Sequence, residues 1–247
     1  MDYISEQIVG FLKGTFEGTG KKSAVIGLSG GVDSATSFYL LSKVLKPKNI
    51  FVVHLFYFEP MTSLLEPMLK EKEIPEENIF ILSIRGPVDV IAKALRVSSN
   101  DKVRLGNIIA RARMIFLFDL AKKTDSLVCG TENKSENLLG YFTRFGDQAS
   151  DIEPIAHLYK TEVYKLAEYL GVTKKIIRQK PTAGLWQGQT DEGEFGFTYG
   201  EADQVMNLYF DKHLELDKIE RSGFKNARKI VELCKKNEFK QKVPYHL

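Results

Sequence analysis

The run Ala24-Val25-Ile26-Gly27-Leu28-Ser29-Gly30-Gly31-Val32-Asp33-Ser34-Ala35-Thr36 constrains the fold more than any other stretch of the chain. An uninterrupted apolar run, too short for a helix, reads as a strand buried on both faces, which belongs to a parallel sheet. Ser29-Gly30-Gly31 ends it in a turn where the backbone can approach a ligand closely. Ala35, Phe38, Leu41 and Leu45 then repeat at helical spacing. A helix that starts after a glycine turn aims unpaired N–H groups and the positive end of its dipole at the turn, which suits an anion. Asp33 is out of place beside a phosphate unless a divalent cation lies between them; its other reading is a helix cap. The loop lacks the Gly-x4-Gly-Lys-Ser/Thr spacing of the mononucleotide loop and the Gly-x-Gly-x-x-Gly of dinucleotide folds.

Apolar segments at 23–28, 50–55, 79–83 and 126–130 read as strands. Helical patterns fall at 3–16, about 34–46, 62–73, 87–96 and 102–123. This alternation predicts an α/β fold, a doubly wound parallel sheet with helices on both faces, followed after residue 160 by a helical C-terminal region. Ligands of such sheets bind beyond the carboxyl ends of the strands. Both Ser29-Gly30-Gly31 and Gly130-Thr131-Glu132-Asn133 fall at that edge. The span 183–200 holds five glycines and three acids and reads as a mobile loop that closes over a site. The alternative is a loop pinned by Leu185, Trp186 and Phe195.

With 247 residues, and no linker to divide them, residues 1–247 read as a single domain. A net charge of +3 gives no argument for a nucleic-acid partner. No apolar run is long enough to span a membrane. The acidic N-terminus lacks a signal pattern, and Cys129 and Cys234 are far apart without further ligands, so a cytoplasmic protein is expected.

Glu136 has two readings. Three residues after Asn133 it has the spacing of a capping box; next to Asp33 at the same sheet edge it is a second carboxylate for a magnesium ion. Gly140-Tyr141-Phe142-Thr143-Arg144-Phe145-Gly146-Asp147 brackets aromatics and a cation between glycines, which suits stacking and pairing with a ligand; the other reading is a loop anchored in the core, the commoner fate of aromatics.

The Ser-Gly-Gly-Val-Asp-Ser loop resembles the pyrophosphatase loop of the adenine-nucleotide alpha-hydrolase-like enzymes. In order with Asn-Ile-Ile-Ala-Arg-Ala-Arg-Met at 107–114, Gly-Thr-Glu-Asn-Lys-Ser-Glu at 130–136, Tyr-Phe-Thr-Arg-Phe-Gly-Asp at 141–147 and Lys-Pro-Thr-Ala-Gly-Leu-Trp at 180–186, it closely resembles the ammonia-dependent NAD synthetases over about residues 25–245. The resemblance implies adenylation of the nicotinate carboxylate of deamido-NAD by ATP, then displacement of AMP by ammonia, in a homodimer. It assigns Ser29, Gly30, Gly31, Val32, Asp33, Ser34, Ala35, Thr36, Thr131, Lys160 and Thr182 to ATP. Asp33 and Glu136 fall to magnesium, and Asp33, Glu136 and Lys160 to catalysis. Arg111, Arg144, Asp151 and Lys240 fall to deamido-NAD. On the bland readings Lys160 is a solvated lysine at a helix start and Thr182 a turn residue. Asn107 and Arg111 share a helix face that Arg104 extends, beside an apolar face of Ile108, Ala112 and Ile115 that suits a dimer contact.

Two departures stand out. The segment His54-Leu55-Phe56-Tyr57-Phe58-Glu59-Pro60 lacks the arginine that the family commonly carries there for the adenine. Before Pro244, where the family often has a His-Lys pair, the chain has Phe239-Lys240, so Lys240 carries over and the histidine role does not. No cysteine lies upstream to serve a glutaminase, so free ammonia is the expected nitrogen source. Other enzymes with the same ATP loop (GMP-forming or RNA-thiolating) and a non-catalytic adenine-nucleotide module are the alternatives.

Overall fold

The computed structural model describes residues 1–98 and 100–242; Pro244 lies outside them. Four strands, β1 (Ala24–Gly27), β2 (Ile50–Phe56), β3 (Ile79–Ser83) and β4 (Leu127–Cys129), form one sheet in the order β3-β2-β1-β4. All pairings are parallel. The helices of this half are α1 (Asp2–Thr19), α2 (Val32–Ser42), α3 (Thr62–Glu71), α4 (Arg85–Ala94), α5 (Lys102–Thr124) and α6 (Lys134–Leu139). Then follow α7 (Lys160–Leu170), α8 (Lys174–Ile177), α9 (Asp191–Phe195), α10 (Tyr199–Met206), α11 (Leu216–Arg221) and α12 (Ala227–Asn237).

The first strand explains the layering. Ala24 and Ile26 pack with Leu12, Phe38, Leu41, Leu166 and Ala167, so α1, α2 and α7 cover one face. Val25 packs with Val53, Val88, Ile109, Ala112 and Val128, so α4 and α5 cover the other. Every second side chain of a strand points to the same face, so a short strand of apolar residues feeds two cores. A third cluster joins Leu139, Tyr159 and Phe195 to α10 and α12. Gly140 closes α6 at φ +64°, and a Cβ there would lie 2.3 Å from Cβ of Asn237, so α12 can reach α6 only past a glycine.

Strands after β1 are added on one side, through β2 to β3, and β4 then returns to the other side of β1. The turns after β1 and β4 therefore diverge and leave a crevice between them, the usual ligand position in a doubly wound sheet.

Three expectations change. The helix after the glycine turn stops at Ser42, where Lys43 and Val44 turn back on Leu40 and Leu41, four residues short of the predicted end. Ile108 and Ala112 are buried in the protein's own core against β1 and β4; of the proposed apolar face only Ile115 is exposed. The span 183–200 is not one loop. It contains α9 and the start of α10, and Phe195, Phe197 and Tyr199 are buried, because aromatic burial outweighs the freedom of the intervening glycines.

Candidate active site

Ser29 and Ser34 brace the glycine turn. The Ser34 hydroxyl accepts from the Ser29 amide at 3.2 Å and donates to the Gly31 carbonyl at 3.1 Å, and the two hydroxyls lie 3.0 Å apart. The Gly31 amide donates to Ser29 Oγ at 3.2 Å. Gly30 takes φ +92°, a conformation that favours glycine. Val32, Asp33 and Ser34 form the first turn of α2, whose amides have no partner within the helix, and all three residues line the crevice.

Lys160, the first residue of α7, lies between two carboxylates. Its Nζ donates to Asp33 Oδ2 at 2.6 Å and to Glu136 Oε1 at 2.8 Å. The residue is only 2% exposed, which excludes the solvated-lysine reading. Its backbone amide donates to Ser135 Oγ at 2.8 Å, and the Tyr199 ring lies 5.2 Å from its ammonium. Burial opposes a charge on Lys160, but the two carboxylates outweigh it, so its pKa is raised and the ammonium persists. Asn133 donates from Nδ2 to the other Asp33 oxygen at 2.9 Å.

Both readings of Glu136 hold at once. Its amide donates to Asn133 Oδ1 at 3.0 Å and its Oε2 accepts from the Asn133 amide at 3.5 Å, which completes the capping box, while Oε1 takes the lysine. The cap fixes the carboxylate facing Asp33. No group of three or more metal-ligating side chains forms among the described residues. Two hard carboxylates still suit magnesium, which is usually held by one or two carboxylates together with substrate phosphates.

A cavity of about 330 Å³ opens over this triad. Ser29, Gly31, Val32, Asp33, Ser34, Thr131, Glu136, Lys160 and Thr182 line it, and so does the atypical segment from His54 to Glu59. Ala35 and Thr36 differ from expectation: both are fully buried, and the Thr36 hydroxyl donates to the Val32 carbonyl at 2.7 Å, so neither side chain faces the cavity. His54 is buried; Nδ1 bonds the Leu28 carbonyl at 2.8 Å, and Nε2 accepts from the Met61 amide at 3.0 Å. It thereby ties the end of β2 to the end of β1. A more open groove of about 430 Å³ runs between α6, α9 and α12, but no residue of the glycine turn or the triad reaches it.

Arg111, Arg144 and Lys240 gather outside the cavity. Arg111 Nε donates to the Arg144 carbonyl at 3.3 Å, and the Arg144 guanidinium lies 5.2 Å from the Phe239 ring. Lys240 donates to the carbonyls of Gly140 and Phe142. Asp151 stands apart: it is exposed, and its carboxylate accepts from the Val128 amide at 2.8 Å along β4. Thr182 lines the cavity and is also a turn residue, its Oγ1 accepting from the Gly184 amide at 3.1 Å.

Two residues that line the cavity, and a carboxylate pair behind it, escaped sequence reasoning. Arg113 lines the cavity two residues beyond Arg111, on a different helix face. Asp191, 2% exposed, also lines it; Oδ2 accepts from Tyr199 Oη at 3.1 Å, and Oδ1 has no partner among the described residues. Glu132 and Glu153 meet behind the Gly130 turn, where Glu153 accepts from the Glu132 amide at 3.1 Å and from Ser150 Oγ at 2.7 Å. Burial, then the charge of Glu153, pushes Glu132 up to about 9. Burial likewise raises Glu153 to about 7. No spacing in the sequence marks this pair. Cys129 is buried in the core, and burial raises its thiol pKa, which suits an inert residue.

A sequence profile of the NAD synthase family matches residues 4–244. The NH(3)-dependent NAD(+) synthetase of Fusobacterium nucleatum subsp. nucleatum is 37% identical over 243 residues, which is 98% of this chain and 93% of that protein. The NH(3)-dependent NAD(+) synthetase of Thermoplasma volcanium is 40% identical over 230 residues, 92% of this chain and 90% of that protein. Among solved structures, NMN synthetase from Francisella tularensis superposes with a TM-score of 0.84 at 30% identity, covering 100% of this chain and 98% of that one. NH3-dependent NAD synthetase from Campylobacter jejuni follows at a TM-score of 0.82 and 30% identity, with coverage of 100% and 98%. The glycine turn, the lysine held between two carboxylates and the sheet order thus sit in a chain that belongs to the NAD synthase family.

Proposed function

We propose that the protein is an ammonia-dependent NAD synthetase, a carbon–nitrogen ligase that converts deamido-NAD, ATP and ammonia to NAD, AMP and pyrophosphate. The carrying observation is the buried Lys160 between Asp33 and Glu136, at the mouth of a glycine turn that opens a helix. A carboxylate oxygen of the nicotinate attacks the α-phosphorus of ATP, and the bond from that phosphorus to pyrophosphate breaks. Ammonia then adds to the activated carbonyl, the carbon–oxygen bond to AMP breaks, and a proton leaves the nitrogen for solvent. No protein nucleophile is required.

The chain's residues neutralise and position. The α2 amides and the hydroxyls of Ser29 and Ser34 cradle the phosphates, and Thr131 and Thr182 border the nucleotide. The charge of Lys160 stabilises the departing pyrophosphate. Asp33 and Glu136 would hold magnesium, which supplies charge neutralisation on the phosphates. Arg111, Arg144 and Lys240, with Asp151, serve deamido-NAD on the outer surface, where exposed Phe145 and Ile115 suit a two-fold contact with a second copy. Residues 1–247 work as one synthetase domain in a cytoplasmic homodimer, with free ammonia as nitrogen donor.

The test is release of AMP and pyrophosphate from ATP that depends on the acid substrate. Nicotinate mononucleotide belongs beside deamido-NAD as a second acid, given the likeness to the Francisella NMN synthetase. ATP cleavage indifferent to either acid would overturn the assignment.

A further inference from the structure

Arg113 carries a charge that no described residue pairs. It lies in the middle of α5 and lines the cavity with Ala110, Met114 and Leu117. The Leu117 side chain lies 3.5 Å from where a Cβ on Gly27 would stand. Because α5 leads into a parallel strand, it runs against the sheet, and Arg113, one turn before Leu117, sits above the carboxyl end of β1. That is the edge where the glycine turn begins.

Arg113 makes no hydrogen bond and no ion pair with any described residue, and its Nε is sealed from solvent without a partner. Lys160, by contrast, is held by two carboxylates. Asp147 favours the charge of Arg113 electrostatically without forming a hydrogen bond or ion pair with it. His54, also near, has both ring nitrogens committed, to the Leu28 carbonyl and the Met61 amide. Burial opposes the charge, yet a guanidinium stays protonated at neutral pH. Arg113 is half-buried, with its Nε sealed; a partly buried cation that no side chain pairs is a cost to the fold, and such groups are normally paired. Here the missing partner has an open cavity to arrive through, and a guanidinium matches a two-oxygen anion in one plane.

We propose that Arg113 is a substrate-binding residue, left unpaired by the protein so that an oxyanion of the substrates, either a phosphoryl group of ATP or the carboxylate of the acid, completes it. This rests on the ligase reading above. On that reading both anions meet over the end of β1, and Arg113 is the cation there that no carboxylate among the described residues has claimed.

The experiment measures equilibrium binding of α,β-methylene-ATP with magnesium, and separately of deamido-NAD, to the wild type, Arg113→Lys and Arg113→Met, alongside thermal unfolding without ligand. Loss of a charge-assisted bidentate contact should weaken one of the two ligands about 10- to 100-fold in Arg113→Met. Arg113→Lys should fall between that variant and the wild type, since it keeps the charge without the fork. The ligand affected identifies the source of the oxyanion. Unliganded Arg113→Met should unfold at or above the wild-type temperature, because it removes an unanswered charge. If folded Arg113→Met binds both ligands within two-fold of the wild type, or if it unfolds well below it or does not fold, the proposal is wrong and Arg113 is structural. If the wild type itself binds neither ligand, the ligase reading has failed instead.

Discussion

Glu132→Gln should stabilise the protein, and by an amount that depends on pH. Glu132 is 9% exposed, and its Oε1 has no partner among the described residues. Burial and the neighbouring Glu153 raise it from 4.5 to about 9. The sign follows from proton counting. Between those two values the unfolded chain has released the proton and the folded chain still holds it, so folding takes up a proton and stability falls as pH rises. At pH 7 the interval above 4.5 is about 2.5 units, which at about 1.4 kcal/mol per unit makes the cost on the order of 3 kcal/mol. Glutamine has nearly the same shape and no proton to take up, so the variant recovers most of that amount. Urea unfolding of metal-free protein at pH 5, 6, 7 and 8 reads the difference as a midpoint shift. The gap between variant and wild type should be small at pH 5 and widen toward pH 8. A gap that does not change with pH, or a variant less stable at pH 8, would refute the argument from burial.

Lys160→Met leaves Asp33 and Glu136 facing each other without a cation; unfolding of the metal-free protein should show a loss of about 3–5 kcal/mol. Magnesium should restore part of it, and ligase turnover should be lost. Gly140→Ala forces a Cβ against Asn237 at positive φ and should destabilise by roughly 2 kcal/mol or more in the same assay. The sole tryptophan, Trp186, sits in the segment that borders the cavity, so its fluorescence and protease nicking at 183–190 should both change when ATP, magnesium and deamido-NAD are added; identical readings with and without substrates would show a segment that does not respond. Sedimentation of active protein should give a dimer, and Ile115→Asp should shift it toward monomer.

How far the sequence could be read depended on whether the deciding interaction was local. The first strand, the glycine turn and the helix after it are local: apolar run, flexible turn and helical period sit in one stretch, and the structure reproduces them apart from the helix end at Ser42. Glu136 was legible as a cap because Asn133 is three residues away, but its lysine partner is 24 residues on and became visible only once α7 packed against α6. Arg111 drew attention because it continues the stripe of Arg104 and Asn107. Arg113, two residues further on, has no surface pattern to mark it, and what distinguishes it is a partner it lacks. The Glu132–Glu153 pair depends on residues 150–153 running beside β4, a pairing no periodicity announces. Glycine spacing suggested one loop over 183–200, whereas Phe195, Phe197 and Tyr199 fold its second half into the core beside Tyr141. The first half is docked too, with Leu185 resting against Gly106 and its amide on Gln189 Oε1 at 2.8 Å.

The most direct test of the central claim follows products over time in purified protein given ATP, magnesium, deamido-NAD and either ammonium or glutamine. With ammonium, NAD, AMP and pyrophosphate should accumulate in equal amounts, and Asp33→Asn or Glu136→Gln should remove most of that turnover. With glutamine alone little NAD should form. ADP and phosphate in place of AMP and pyrophosphate, or NAD formed equally well from glutamine, would contradict the account.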